Sequence, residues 1–403
     1  QFRGPNGDGI SDAKNLPLTW SETSNVVWKT AIPGRGRSSP VILGDRIWLT
    51  TAIETNPRNE RVGPDPSTIV DHVEQGVVCL DRATGKQLYH VTLFRSDHPQ
   101  PVHQLNSYAT PTPVAEPGKL YCDFGAFGTA CLDAATGKVL WQRQLKVDHQ
   151  VGPGSSPVIY KDLLILMRDG RDEQYVAALD KHTGKPVWRT DRPPIVAHIG
   201  NLKKSFSTPV FVESGGRAQV VMVCAHWFVS LDPAPGRELW RVKHGTGFSV
   251  APRPVIGHGL VYCCTGMTRQ LWAVRPDGQG DVTDTHVAWK AASQIPMMPS
   301  PLLVGREIYT LSDQGIVTCY DALAGVELGQ RATGGPCGAS PLYADGRIYI
   351  INQKAETTVL KPGKELEKLV ENKLDGAVFA SPAAVGNALY IRTDTHLYCV
   401  AQK

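Results

Sequence analysis

The eleven residues CLDAATGKVLW, Cys131 to Trp141, recur as ALDKHTGKPVW from Ala178 to Trp188 and as SLDPAPGRELW from Ser230 to Trp240. Each box is a small residue, a hydrophobe, an Asp, a turn ending in Gly, and then a Trp four residues later. The Asp can bond its own turn backbone, the Gly supplies a positive φ, and the Trp is placed to pack on the next unit. Degraded copies are CLDRATGKQLY ending at Tyr89, CYDALAGVELG ending at Gly329, and Ala273 to Trp289 with a lengthened turn. Near Val359 to Leu366 the turn is shortened and the Trp is gone.

Upstream of each box stands a second signature, a proline followed eight residues later by an aromatic inside an apolar strand. Pro40 leads to Trp48, Pro113 to Tyr121, Pro254 to Tyr262, Pro301 to Tyr309, Pro341 to Tyr349 and Pro382 to Tyr390. Pro157 leads to Ile165, and Pro209 leads to Val220–Val223 after a small insertion. The period is about 45 residues over eight copies, and each copy has room for four short strands. Four antiparallel strands repeated eight times, none able to bury its own faces, predict an all-β, eight-bladed β-propeller. The last copy, Pro382 to Lys403, has only three strands, and VVWKTAI, Val26 to Ile32, supplies the missing one with Trp28 in the docking position. We therefore expect the N-terminal strand to pair with the last blade and close the ring, which also removes an aggregation-prone edge. Residues 1–24 become a leader, residues 25–403 a single propeller, and 51–75 an inserted loop in the first blade.

Composition agrees with this reading and excludes others. The 403 residues contain 39 Gly and 30 Pro, enough for many tight turns. With 42 basic and 38 acidic residues and no basic block, nucleic acid is not an expected partner. The longest apolar runs, such as Gln219 to Ala225, fall far short of the ~20 residues of a membrane-spanning helix. Cys79, Cys131, Cys319 and Cys399 all occupy the small-residue slot of the box, so they read as buried thiols rather than a disulfide framework.

The boxes resemble the tryptophan-docking motifs of the pyrroloquinoline-quinone (PQQ) dehydrogenase-like eight-bladed propellers. That superfamily includes quinoprotein alcohol dehydrogenases and the propeller lipoprotein of the outer-membrane barrel-assembly machinery, so it mixes enzymes with scaffolds. The resemblance implies a bacterial periplasmic or extracellular protein. It also implies PQQ with Ca²⁺ as a cofactor to be considered, and the adjacent Cys263 and Cys264 are similar to the vicinal disulfide of some of its dehydrogenases. Strand alternation nevertheless sends those two side chains into opposite layers, and no Glu/Asn/Asp set stands out beside them.

Antiparallel geometry puts the links between blades on one rim, and there the sequence is rich in His and cations. His103, His149, His198 and His244 each precede a proline anchor, accompanied by Asn106, Tyr108, Lys203 and Lys204; facing turns add Arg168, His226, Trp227 and Arg269. Converging imidazoles would hold a divalent metal; otherwise they are solvated loop or capping residues. The expected function is a binding or assembly scaffold, a monomer contacting a protein or carbohydrate at this rim. The alternatives are an enzyme there, either a carbohydrate-active lyase or a metal-dependent enzyme, and a PQQ-dependent dehydrogenase.

Overall fold

The small residue of the box is small because it faces the tryptophan. In the structure, a computed structural model that describes residues 1–402, Cys131 is the cross-strand partner of Trp141, Ala178 of Trp188, Ser230 of Trp240 and Ala273 of Trp289. Cys399 faces Trp28 in the same way. Immediately beyond each pair the register slips by one residue, a bulge that sharpens the strand twist. The extra residue is turned outward, which explains why Val27, Leu88, Leu140, Val187, Leu328 and Leu369 are 39% to 52% exposed. The equivalent Leu239 is buried, because Gly280–Asp281 of the next unit's long turn pairs in parallel with Trp240 and Arg241 and covers that edge.

These pairings build eight sheets of four strands, the fourth carrying Gly280–Asp281 as a fifth, plus one small three-stranded sheet. Numbered along the chain, the first sheet is Val41–Leu43, Arg46–Thr55, His72–Asp81 and Gln87–Asp97. The second is Val114–Glu116, Lys119–Asp123, Thr129–Asp133 and Val139–Arg143; the third is Val158–Tyr160, Leu163–Asp169, Gln174–Asp180 and Pro186–Asp191. The eighth holds Ala383–Val385, Ala388–Arg392, His396–Ala401 and, from the other end of the chain, Val26–Ala31. No described residue is in an α-helix.

Successive sheets are joined by a repeated contact. The indole Nε1 of Trp141 donates to Lys181 O, that of Trp188 to Pro233 O, that of Trp289 to Ala322 O and that of Trp28 to Arg82 O, at 3.0–3.2 Å. Under each ring lies the turn glycine of the neighbouring sheet, Gly184, Gly236, Gly325 and Gly85, where a Cβ would come within 2.5–2.6 Å of the indole. Trp240 departs from this pattern: its Nε1 donates to Gln219 Oε1, and Gln219 Nε2 reaches Pro276 O. The lengthened turn of the fifth sheet has moved its carbonyl away, and Gln219 bridges the gap.

A second inter-sheet series runs through the residue before each proline anchor. Ser39 N donates to Thr112 Oγ1, Thr112 N to Ser156 Oγ and Ser156 N to Thr208 Oγ1; Arg253 N donates to Ser300 Oγ, Ser300 N to Ser340 Oγ and Ser340 N to Ser381 Oγ. The interruption falls where Arg253 takes the Ser/Thr place. Its guanidinium turns instead to Pro209 O and Phe2 O. The leader thus stands outside the repeats but is packed on them: Arg3 is buried and donates to Pro301 O, Ile10 bridges Tyr343, and buried Trp20 stacks on Tyr349.

The insertion expected as a loop at 51–75 is mostly strand. Arg46–Thr55 and His72–Asp81 run on as a paired ribbon, and between them Arg58–Val62 and Asp65–Ile69 form a hairpin. The hairpin pairs with Val102–His103, Ser67 opposite His103. Its residues alternate too weakly in polarity for the sequence to have marked a strand.

Replacing Gly184 by Ala forces a side chain into the left-handed region and against Trp141. A loss of about 1–3 kcal/mol is expected, and about 3–5 kcal/mol for Trp141→Ala, both measured by urea unfolding.

Candidate functional site

The links after the first, second and third sheets fold into a single polar face. Asn106 Nδ2 donates to Val151 O and Pro153 O, clipping the first link to the second. Asn201 of the third link donates to Asp65 of the hairpin at 2.6 Å, and Gln150 Nε2 donates to Val62 O at 3.3 Å. Hairpin, second link and third link thereby border an open cavity of about 530 Å³, lined by the apolar Val62, Pro64 and Ile199 and by Asp148, Gln150, Arg171, Asp172 and Asn201. Deeper lies a polar cell of about 20 Å³ beside Asp123, His149, Arg168 and Asp169. Asp148, His149 and Gln150 stand between the two.

The link histidines do not form a common ligand set. His149 is buried over Gly125, and its Nε2 accepts from Ala126 N. His244 stacks on Phe228 with ring centroids 4.5 Å apart and donates from Nε2 to Cys224 O. His103 Nδ1 accepts from Leu105 N, and His198 is exposed. Among the described residues no three of His, Cys, Asp and Glu are placed to share a metal ion. His149 and His244 bond to turns of the adjacent sheets, and His103 to its own link. Burial keeps His149 and His244 neutral, holding His244 down to about 4.

The cations are similarly distributed. Arg168 is buried in a bidentate pair with Asp123, 2.7 and 3.1 Å, with Thr129 donating to the same carboxylate. Arg192 pairs with buried Asp169 at 3.0 Å. Arg269 pairs with Asp313 at 3.1 Å. Trp227 donates to Pro194 O beneath Arg241 and Lys243, His226 beside it is buried, Lys203 is half-buried, and Tyr108 is fully buried against Phe127. The sequence missed Asp123, Arg192, Asp148, Gln150 and Asp172. Only the unusual sight of charges at the ends of apolar strands could have marked the first two.

Lys204 differs from the rest. It is 1% exposed and its Nζ has no hydrogen-bond partner in the protein. Burial lowers it to about 7, opposed by the carboxylates of Asp148, Asp65 and Asp172 and assisted by Arg171.

A quinone site is not apparent in this donor set. Cys263 and Cys264 are free thiols, one in the layer with Trp240 and Trp272, the other in the layer with Tyr262 and Tyr320. Neither can stack with its neighbour on a flat ring, and Asp123 and Asp169 already face arginines rather than a calcium ion.

Repeated four-stranded sheets joined by indole contacts, with a polar face built from the links, define a PQQ-like β-propeller. The chain belongs to the family described as outer membrane protein assembly factor BamB, which matches residues 12–145, 73–322 and 172–403. Among solved structures it is similar to BamB from Moraxella catarrhalis, with a TM-score of 0.59 and 13% identity over 87% of this chain and 99% of that one. It is similar to a quinohemoprotein alcohol dehydrogenase from Pseudomonas putida HK5, with a TM-score of 0.65 and 10% identity over 98% and 78%. A europium-containing methanol dehydrogenase gives 0.56 and 12% over 97% and 88%. At these identities the likeness is one of fold. No curated protein matches the chain in sequence.

Because Lys204 binds its proton less tightly folded than unfolded, the unfolded state holds more protons between about pH 7 and 10.5, and stability rises with pH across that window. Lys204→Met is expected to stabilise the protein at pH 7 by on the order of a few kcal/mol and to flatten that rise, measured by urea unfolding at a series of pH values.

Proposed function

We propose that the protein is a non-catalytic binding or assembly scaffold of the PQQ-like superfamily, acting as a monomer in the periplasm or outside the cell. Its contact surface is the face formed by the first three links and the inserted hairpin. In this reading the eight sheets are the eight blades of one ring, closed where Val26–Ala31 joins His396–Ala401. The observation that carries the scaffold reading is the engagement of the charged groups at that face. Asp123 and Asp169 each face a buried arginine, and His149 is buried with its Nε2 accepting from Ala126 N. Groups held in this way position loops and are poorly placed to exchange protons with a substrate. The family's description as an assembly factor supports the same reading.

No transmembrane anchor enters the proposal: no helix among the described residues is long and apolar enough to cross a membrane. The polar cavity between hairpin and links favours a second reading, an enzyme at the same place.

The deciding experiment is dialysis of the full chain against PQQ and Ca²⁺, followed by absorbance and by alcohol-dependent dye reduction. The scaffold reading expects neither retained quinone nor turnover. Stoichiometric quinone with dye reduction would overturn it.

A further inference from the structure

The cavity between hairpin and links contains polar atoms that the protein itself does not satisfy. Gln150 is only 6% exposed, lines the cavity, and leaves Oε1 without a partner. Its backbone sits at φ 45°, in the left-handed region that a side-chain-bearing residue adopts at a cost. Asn201, also in the lining, leaves Oδ1 without a partner. A buried polar group without a partner costs about 1–3 kcal/mol, so two in one place mark a position where a ligand would recover that loss.

The carboxylates there are already matched. Asp148 pairs with Arg171 at 3.0 Å, Asp172 Oδ1 accepts from Asp148 N at 2.9 Å, and Asp65 Oδ2 accepts from Asn201 at 2.6 Å and Gln150 at 3.4 Å. What is left over is two amide oxygens, uncharged acceptors that suit a neutral hydrogen-bond donor. Hydroxyl groups both donate and accept, and so suit that remainder. Val62, Pro64 and Ile199 in the same lining offer apolar surface to the C–H face of a ring. A volume of about 530 Å³ falls in the ~300–1,000 Å³ range of small-molecule sites.

We propose that this cavity binds a neutral, hydroxyl-rich ligand, a short oligosaccharide, with Gln150 and Asn201 accepting from its hydroxyls and Ile199 lying against a ring face. The proposal rests on the scaffold reading of the same face and names what that face takes.

The test is saturation-transfer NMR on the full chain with maltotriose, cellotriose and chitotriose, and with spermidine as a cationic probe. At least one trisaccharide is expected to bind. Gln150→Leu, which keeps the volume and removes the oxygen, should weaken it at least tenfold. Ile199→Asp alters an exposed residue, so it keeps the fold testable if Gln150→Leu misfolds; it should weaken binding with an unchanged melting temperature. Binding of none of the three sugars, binding of spermidine in their place, or full affinity in a folded Gln150→Leu or Ile199→Asp protein would overturn the proposal. The outcome is independent of the quinone dialysis: a failure here with no quinone retained leaves the scaffold reading standing, while quinone turnover removes that reading whatever the sugars do.

Discussion

One contact carries the architecture: an indole on the outer strand of one sheet lies over a bare glycine in the turn of the next and donates to a carbonyl of that turn. It needs a small residue across the strand from the indole, a glycine with positive φ beneath it and a bulge to aim it, and the box supplies all three within eleven residues. Because the unit is short and local, it can be repeated with little change. The Trp28 contact with Arg82 and Gly85 shows the same geometry between the first and last elements of the chain.

Regularity on the turn side leaves the links free to vary. They are fixed at their proline ends by the Ser/Thr series and otherwise have no shared geometry, and this is why histidines at similar spacings before the prolines end up in unrelated environments. The polar face is built by Asn106, which clips the first link to the second, and by Gln150 and Asn201, which tie the second and third links to the hairpin. Stability and binding are separated in this way: the indole contacts hold the sheets, while the links can change chemistry without disturbing them.

The sequence made the fold legible because its determinants are local and repeated. Cys131, Ala178, Ser230 and Cys399 could be recognised as one slot before any partner was known, and the structure adds that the partner is the tryptophan. The site was legible only in part. Its sector was apparent from Asn106, His149, Lys203 and Lys204, but the roles of its residues depend on contacts over long sequence distances, such as Asn201 with Asp65. The Asp123–Arg168 and Asp169–Arg192 pairs were hidden for the same reason. The strand character of the insertion was hidden by weak alternation, since its pairing with Val102–His103 is set by the first link rather than by its own side chains.

The central claim is that the first strand completes the last sheet and holds the assembly together through Trp28. The most direct measurement is hydrogen exchange at the amides of His396–Ala401 in the full chain and in a protein lacking residues 1–32. The account predicts that these amides are among the slowest to exchange in the full chain, and that the truncation exposes them and lowers the global urea midpoint. Equal protection and an unchanged midpoint in the truncated protein would contradict it.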